Sequence, residues 1–301
     1  MVSATPHTAS AIKTSAGKSR GVKSPGEEAI KNKGWLRANK WLLLRRLSQL
    51  GILSLFLAGP LFSVWIIKGN MSSSLLLDVL PLSDPFVLLQ TLLAGHVAEA
   101  SAISGALLVA AFYFLVGGRV YCSWVCPINI VTDIADWMRR KLNIKSSLSF
   151  SRMGRYGLLL AIFIIAAVTG TLAWELINPV TMIQRELVYG MGFSWLLVLA
   201  IFVLDAFVSR RAWCGHLCPM GAFYSLIGRQ SLIKINAVDR KNCDDCMDCF
   251  AICPEPQVIK PALKGNEEIS PVIISGNCTN CGRCIDVCAK DVFKTSHRFI
   301  K

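Results

Sequence analysis

Charged residues are scarce in this sequence. Asp, Glu, Lys and Arg make up 17% of the 301 residues, whereas apolar residues make up 53% and the mean hydropathy is +0.49. Soluble domains carry about 25% charged residues, so the composition argues against an ordinary cytosolic enzyme and against a disordered chain. The sequence also lacks a nucleophile triad, a P-loop and a dinucleotide-binding fingerprint. A multi-span membrane protein is the leading class.

Acidic residues are the scarcer charge, with 19 Asp and Glu against 32 Lys and Arg. The excess positive charge lies in residues 1–46 and 118–155, whereas residues 236–301 carry nine basic and nine acidic residues. Because the basic stretches flank hydrophobic segments, they fit the rule for cytoplasmic loops of membrane proteins better than a nucleic-acid surface.

Long apolar runs predict four membrane spans, at residues 47–67, 98–116, 156–176 and 193–208. The Lys and Arg distribution places both termini in the cytoplasm of a bacterial inner-membrane protein. Residues 75–93 are also apolar, but Pro81, Asp84 and Pro85 interrupt them. We interpret this stretch as extramembrane or re-entrant, with a fifth span as the less favoured alternative.

The membrane part is duplicated in sequence. Arg119-x2-Cys122-x3-Cys126-Pro127 recurs 92 residues later as Arg211-x2-Cys214-x3-Cys218-Pro219. Upstream, Asp84-Pro85-x4-Gln90 recurs 94 residues later as Asn178-Pro179-x4-Gln184. Two matches at nearly one offset indicate a parallel repeat of a two-helix unit.

These features predict a mainly α-helical membrane protein with three parts. Residues 1–40 form a disordered basic cytoplasmic tail, because their composition cannot bury a core. Residues 41–235 form a four-helix transmembrane bundle. Residues 236–301 form a small cytoplasmic α+β ferredoxin-like domain, whose folding depends on inorganic cofactors.

Eight cysteines near the C-terminus form two runs with x2-x2-x3 spacing, the pattern of two-cluster bacterial ferredoxins. In that pattern the last cysteine of each run ligates the cluster of the other run. One 4Fe-4S cluster is therefore assigned to Cys243, Cys246, Cys249 and Cys288. The other is assigned to Cys278, Cys281, Cys284 and Cys253. Zinc on paired C-x2-C motifs is the alternative.

The repeated C-x3-C-P motifs place Cys122, Cys126, Cys214 and Cys218 at the cytoplasmic ends of two spans. If the two halves pack with pseudo-twofold symmetry, all four thiols converge. They would then hold a metal, hold a further cluster, or cycle between dithiol and disulfide. The alternative is that they are inert cysteines at helix ends.

Together, the spans, the C-x3-C-P motifs and the two cluster motifs resemble the NapH/MauN-like family of ferredoxin-type membrane proteins. The resemblance covers about residues 35–295 and includes the strings Val120–Asn129 and Trp213–Ala222. It implies a quinol dehydrogenase component that passes electrons, with a NapG-like periplasmic ferredoxin, toward the periplasmic nitrate reductase and other components of that system. The resemblance leaves the role of the C-x3-C-P cysteines less settled.

Quinol oxidation releases two electrons and two protons, so a proton acceptor is needed near the bilayer face. His96 and Glu99 lie one turn apart at the predicted periplasmic start of the second span, and we predict them as catalytic groups. Gln90 and Gln184 are predicted to hydrogen-bond a quinone. Alternatively, the first pair is simply solvated at the interface, and the glutamines fold the outer loops.

Two further functions compete with quinol oxidation. The chain would serve as an electron donor for assembly or maturation of a metalloenzyme, as in NosR-type and CcoG-type relatives, or as a docking platform with structural clusters. The extra domains usual in those relatives do not fit in 301 residues, which favours the quinol reading.

Overall fold

The structure is a computed structural model that describes residues 24–144, 148, 150–190, 192–265 and 269–299. It is mainly helical. Its α-helices are, in chain order, α1 (Glu27–Lys33), α2 (Trp35–Ala38), α3 (Lys40–Phe62), α4 (Pro85–Leu93), α5 (Ala100–Val116), α6 (Ile128–Lys141), α7 (Gly154–Thr169), α8 (Pro179–Tyr189), α9 (Ser194–Val203), α10 (Pro219–Gly228), α11 (Asp248–Ile252), α12 (Ile259–Lys264) and α13 (Arg283–Val287).

Short strands form two small antiparallel sheets. A meander consists of β1 (Ile67–Gly69), β2 (Ser73–Leu76) and β3 (Leu80–Ser83), and a two-stranded ribbon pairs β4 (Ile233–Asn236) with β5 (Lys294–His297). The meander packs on α5 at Gly105, where a Cβ would lie 2.8 Å from the carbonyl oxygen of Pro81.

The helices that correspond to the four predicted spans are shorter than those spans. Within the described ranges, α3 is the one helix that is long and apolar enough to cross a membrane, and α5, α7 and the stretch Ser194–Val208 are shorter apolar helices. The four-helix transmembrane bundle is therefore not confirmed by helix length. Gly170 explains part of the difference in the third span. It adopts a left-handed conformation that ends α7 at Thr169, before the predicted span ends at residue 176.

Two short helices, α4 and α8, occupy equivalent places in the two halves. Each begins with proline at its first position, and each is capped by the preceding side chain: Asp84 accepts from the Phe86 N–H, and Asn178 accepts from the Val180 N–H. Their N-terminal ends are buried. Residues 85–93 thus form a helix that begins in the interior, and the re-entrant interpretation stays a prediction.

The helices that follow the C-x3-C-P motifs pack on the bundle. Seven of the ten residues of α10 are buried. Gly118 lies so close to this helix that a Cβ added at Gly118 would be 1.9 Å from the backbone carbonyl oxygen of Tyr224. Helix α6 buries one face and exposes Ile134 and Trp137 on the other. Helix α6 therefore shows an apolar surface suited to an interface.

The C-terminal domain closes over a small core that includes Ile235, Ile259, Ile273 and Phe293. Several cysteines are part of this core or pack against it. The hydrophobic layer is therefore organised around the cysteine loops, as expected of a domain of about 60 residues that depends on cofactors.

The segment before α3 is helical and packs on this domain. The Gly26 N–H donates to Asp248 Oδ2 (2.9 Å), Lys33 pairs with Asp291, and the backbone of Trp41 donates to Asp286 (3.1 Å). Residues 24–40 therefore differ from the disordered tail expected for residues 1–40, because these long-range contacts order them. The rest of that tail lies outside the described residues.

Candidate functional site

Both C-terminal cysteine runs fold in the same way. In the first run Asp245 and Met247 adopt left-handed backbone conformations (φ 59° and 65°), and the equivalent residues of the second run, Asn280 and Gly282, do the same (φ 45° and 70°). A left-handed residue turns the chain sharply. Each run thus aims successive thiols toward one side.

The thiols surround two separate cavities. One cavity of about 370 Å³ is lined by Cys243, Cys246, Cys249 and Cys288. The other, of about 330 Å³, is lined by Cys253, Cys278, Cys281 and Cys284. In both cases three cysteines come from one run and the fourth comes from the other, as the ferredoxin spacing predicts.

Both cavities have the donor set that a 4Fe-4S cluster requires, namely four thiols around an enclosed space. Burial raises the pKa of Cys246 to about 11 and that of Cys278 to about 11. The thiolates therefore need a cationic partner, which iron supplies. Among the described residues, no three His, Cys, Asp or Glu side chains lie close enough to ligate a single ion.

The second cavity lies against the helical part that carries the C-x3-C-P motifs. Ser123 Oγ donates to the Thr279 oxygen (2.7 Å), and Trp124 Nε1 donates to the Asn280 oxygen (3.2 Å). We therefore name the cavity of Cys253, Cys278, Cys281 and Cys284 the proximal cavity. The cavity of Cys243, Cys246, Cys249 and Cys288 is the distal cavity, and its loop residue Met247 is exposed.

The four C-x3-C-P thiols come together. Cys122 affects the ionisation of Cys126, Cys214 and Cys218, and Cys126 and Cys218 both affect that of Cys214. Each motif forms one π-helical turn, in which the N–H of Cys126 donates to Tyr121 (3.0 Å) and that of Cys218 to Trp213 (2.8 Å). Such turns are frequent at functional sites. The structure thus gathers the thiols into one group, which we name the four-thiol site.

A buried ion-pair network joins the four-thiol site to the C-terminal domain. Arg119 donates to Glu255 Oε1 (2.7 Å) and to the Cys214 oxygen (3.0 Å), and Arg155 also donates to Glu255 (3.2 Å). Burial opposes ionisation of Glu255, but the positive charge of Arg119 outweighs it and holds the pKa of Glu255 below its ordinary value. Glu255 follows Cys253 by two residues, so this network lies beside the proximal cavity.

Arg211, the repeat equivalent of Arg119, has different partners. It pairs with Asp133 and donates to Thr132 Oγ1 (3.0 Å), both on α6. Burial opposes ionisation of Asp133, but Arg211 and its neighbours Arg45 and Arg46 hold its pKa well below the ordinary range. Sequence reasoning missed both networks. The repeated arginine before each motif was the signal that could have revealed them.

The residues predicted to handle quinol are dispersed. His96 is exposed and contacts the Gly170 oxygen (3.0 Å), and Glu99 is exposed and accepts from Ser101 (3.2 Å). Gln90 Oε1 accepts from the Trp174 N–H (3.3 Å). Gln184 Oε1 accepts from the Met71 N–H (2.9 Å). Both glutamines are buried, so their contacts fit the alternative in which they fold the outer loops.

Comparisons with known proteins match both the segments that contain the C-x3-C-P motifs and the C-terminal domain. The family model described as a 4Fe-4S binding domain matches residues 100–145 and again residues 191–236, and a 4Fe-4S dicluster domain matches residues 242–292. The first model thus covers each C-x3-C-P motif together with the helix before it. No solved structure matches the chain.

Full-length relatives are similarly close. The chain is 50% identical to the ferredoxin-type protein NapH of Haemophilus influenzae over 92% of its length and 96% of that protein. It is 49% identical to NapH of Escherichia coli over 91% of its own length and 95% of that protein. It is 54% identical to the methylamine utilization ferredoxin-type protein MauN of Paracoccus denitrificans over 85% and 89%.

A duplicated 4Fe-4S binding unit followed by a dicluster domain defines an iron–sulfur electron-transfer protein of the ferredoxin type. Within that class, the chain belongs to the NapH/MauN-like family of ferredoxin-type proteins.

Proposed function

We propose that this chain is a membrane-embedded subunit that oxidises quinol and passes the electrons to a partner ferredoxin. The observation that carries the proposal is the order of the cysteine sites. The four-thiol site borders the apolar bundle. The loop of the proximal cavity contacts the bundle through Ser123 and Trp124, and the distal cavity lies farther from the bundle. Such a series suits electron transfer between a lipid-soluble carrier and a soluble protein.

The outward faces of the bundle helices support a position in the membrane. Large apolar side chains are exposed along α3, α5, α7 and α9, a surface far beyond the patches usual on soluble monomers. Examples are Leu50, Leu61, Leu107, Phe112, Leu160, Ile164, Leu196 and Leu199. We propose four passes with both termini in the cytoplasm, and that α4 and α8 fill the space that the shorter helices leave. Reporter fusions after residue 301 and in the loop at residues 70–80 test this topology: the first should report cytoplasm and the second periplasm.

We propose 4Fe-4S clusters in both ferredoxin cavities, held by the cysteines that line them. Bound clusters would exchange single electrons. The two sites are adjacent. The Cys284 thiol is affected electrostatically by Cys253 of its own site and by Cys249 of the other site.

The four-thiol site is the proposed entry point for electrons, and its surroundings favour a third cluster over a dithiol. Burial raises the pKa of Cys122 and of Cys214. A thiol with a raised pKa contains little thiolate and reacts slowly in disulfide exchange. The same burial suits a cluster, whose iron would displace the protons.

The relatives suggest the terminal acceptor. In a NapH-like system the partner is a NapG-like periplasmic ferredoxin that leads to nitrate reductase. The identity to MauN, at 54%, makes the same role in methylamine utilization the second candidate. Because the proposed topology places the distal cavity in the cytoplasm, electrons that follow the series of sites leave on the cytoplasmic side, and delivery to a periplasmic ferredoxin requires that they cross the bundle again.

The experiment that tests quinol exchange is anaerobic reoxidation. The clusters of the purified protein are reduced, excess reductant is removed, and a quinone analogue is added while electron paramagnetic resonance follows the clusters. Fast reoxidation that a quinone-site inhibitor blocks is expected. Slow reoxidation with intact clusters would overturn the proposal and favour a maturation donor or a docking platform.

A further inference from the structure

A groove opens on the second half of the repeat. It has a volume of about 1080 Å³ and lies between α6, α8 and α9. Its walls include Ile183 and Glu186 of α8, and Trp195 and Val198 of α9. The groove is lined mainly by apolar side chains, so a lipid-soluble molecule can enter it from the bilayer.

One carboxylate interrupts this apolar wall. Glu186 Oε2 is buried, and it has no hydrogen-bond partner among the described residues. A buried carboxylate oxygen that accepts no hydrogen bond costs free energy, because it has lost its contact with water. A ligand with a hydroxyl group would donate to this oxygen and offset that cost. The hydroxyl of Ser194 also lies at the groove and offers a second polar contact.

The floor of the groove reaches the four-thiol site. Ile183 and Val198 pack against a small core of Ile128, Val180 and Ile201, and Cys126 packs against that same core. The groove and one of the four thiols thus border the same small core.

The first half has no equivalent of this carboxylate. The offset of 94 residues that aligns Pro85 with Pro179 aligns Leu92 with Glu186. Leu92 is exposed. The carboxylate is therefore a feature of one half and not a requirement of the shared fold.

We propose that this groove binds the ring of a quinol and that Glu186 accepts the proton of its hydroxyl group. The inference rests on the proposed quinol oxidation and adds its site and its base. An acyl chain also fits an apolar groove, but it has no donor for Glu186. A hydroquinone has both a flat apolar ring, which suits Trp195, and hydroxyl donors.

The balance of the step is simple. Two O–H bonds of the quinol break, and the products are quinone, two protons and two electrons. Glu186 takes the protons one after the other and releases them at the end of α8, beyond Tyr189, on the proposed periplasmic side. The electrons pass one at a time to the iron–sulfur site proposed at the four thiols.

A photoreactive azidoquinone tests where the ring binds, without relying on turnover. The full-length protein with its clusters is labelled in detergent, digested and analysed by mass spectrometry. Labels are expected on α8 and α9, and an excess of unlabelled quinol should suppress them. Substituting Val198→Trp fills the groove and should abolish the labelling, and Val198→Phe serves the same purpose if the larger ring prevents folding.

Glu186→Gln tests the base. General acid–base groups contribute about 10²–10⁴-fold, so quinol oxidation should fall by at least about 100-fold while labelling of the groove persists. The matched control is Asp78→Asn, which removes a carboxylate from an exposed ion pair with Lys68 on the meander. It should oxidise quinol at the wild-type rate.

The outcomes separate the two proposals. Labels outside α6, α8 and α9, or labels that a long-chain fatty acid displaces as well as quinol does, would overturn the groove as the quinol site. An unchanged rate in Glu186→Gln would overturn the role of the base. Groove labelling in a wild-type protein whose clusters never exchange electrons with quinone would leave the binding site standing and overturn the proposed function instead.

Discussion

The two halves of the repeat share a motif but face different neighbours. In the first half, Arg119 reaches out of the bundle to Glu255 of the ferredoxin domain. In the second half, Arg211 stays within the bundle and pairs with Asp133 of α6. Arg119 thus links the bundle to the ferredoxin domain, whereas Arg211 is held beside α6, which also lines the open groove. Duplication kept the four thiols together while the surfaces around them took separate tasks.

Packing shows the same division. The first half packs among aromatic rings that come from both halves, with Tyr121 stacked on Tyr224 of α10 at 5.2 Å and Tyr113 at 5.0 Å from Tyr224. The corresponding core of the second half consists of aliphatic residues around Ile201. The difference in packing fits the proposal that a ligand enters beside the aliphatic core and not beside the aromatic one.

Single substitutions at the four-thiol site give the largest expected effect. If the thiols form one shared site, Cys122→Ser and Cys214→Ser should lower quinol-linked electron flow equally, although they lie in different halves. The loss of even an outer-shell partner of a metal site costs about 10–100-fold, so a loss of at least that size is expected. Electron paramagnetic resonance of the two C-terminal clusters is the control. A loss in one variant alone would show that the halves hold separate sites.

The two arginine networks should differ in stability. Glu255→Ala leaves Arg119 and Arg155 buried without their carboxylate, a loss that costs about 3–5 kcal/mol in buried pairs. Asp133→Ala should cost less, because Asp136 still lies 3.7 Å from Arg211. Thermal unfolding in mild detergent measures both. Glu255→Ala should also expose the segment between the bundle and residue 236 to protease, and equal losses in the two variants would contradict the division of tasks.

The aromatic packing of the first half depends in part on one polar contact. Tyr224 Oη donates to Asp84 Oδ1 (3.2 Å), so Tyr224→Phe should lower the free energy of unfolding by about 1 kcal/mol. Tyr189→Phe, at an exposed position of the second half, is the matched control and should be neutral. An unchanged free energy of unfolding in Tyr224→Phe would mean that the packing of the rings, and not the hydrogen bond to Asp84, stabilises this region.

The sequence predicts local and repeated features well. The spacing of eight cysteines anticipates which four line each cavity, because tight turns depend on neighbouring residues. The repeat anticipates that α4 and α8 are equivalent, because Asp84 and Asn178 are capping residues before a proline. These features depend on short stretches of chain.

Contacts between distant residues were not predictable in this way. Arg119 and Glu255 lie 136 residues apart, and Gly26 and Asp248 lie 222 apart. Nothing local distinguishes Glu186, whose importance comes from the groove formed by three helices. Hydropathy also overestimated helix length, since it does not register where Gly170 ends α7.

The last prediction concerns Lys234, which joins the ferredoxin domain to the end of the second half. Lys234 Nζ donates to the Gly228 oxygen (2.6 Å) and the Ile274 oxygen (3.3 Å). Burial lowers its pKa from 10.5 to about 8, against the opposing effect of Cys278. The unfolded chain therefore binds more protons between about pH 8 and pH 10.5, so this group makes the protein more stable as the pH rises through that window. Lys234→Met should remove that rise in thermal unfolding scans. Lys294→Met, at an exposed lysine of β5, should retain it, and parallel pH profiles for wild type and Lys234→Met would show that Lys234 titrates as an exposed lysine does.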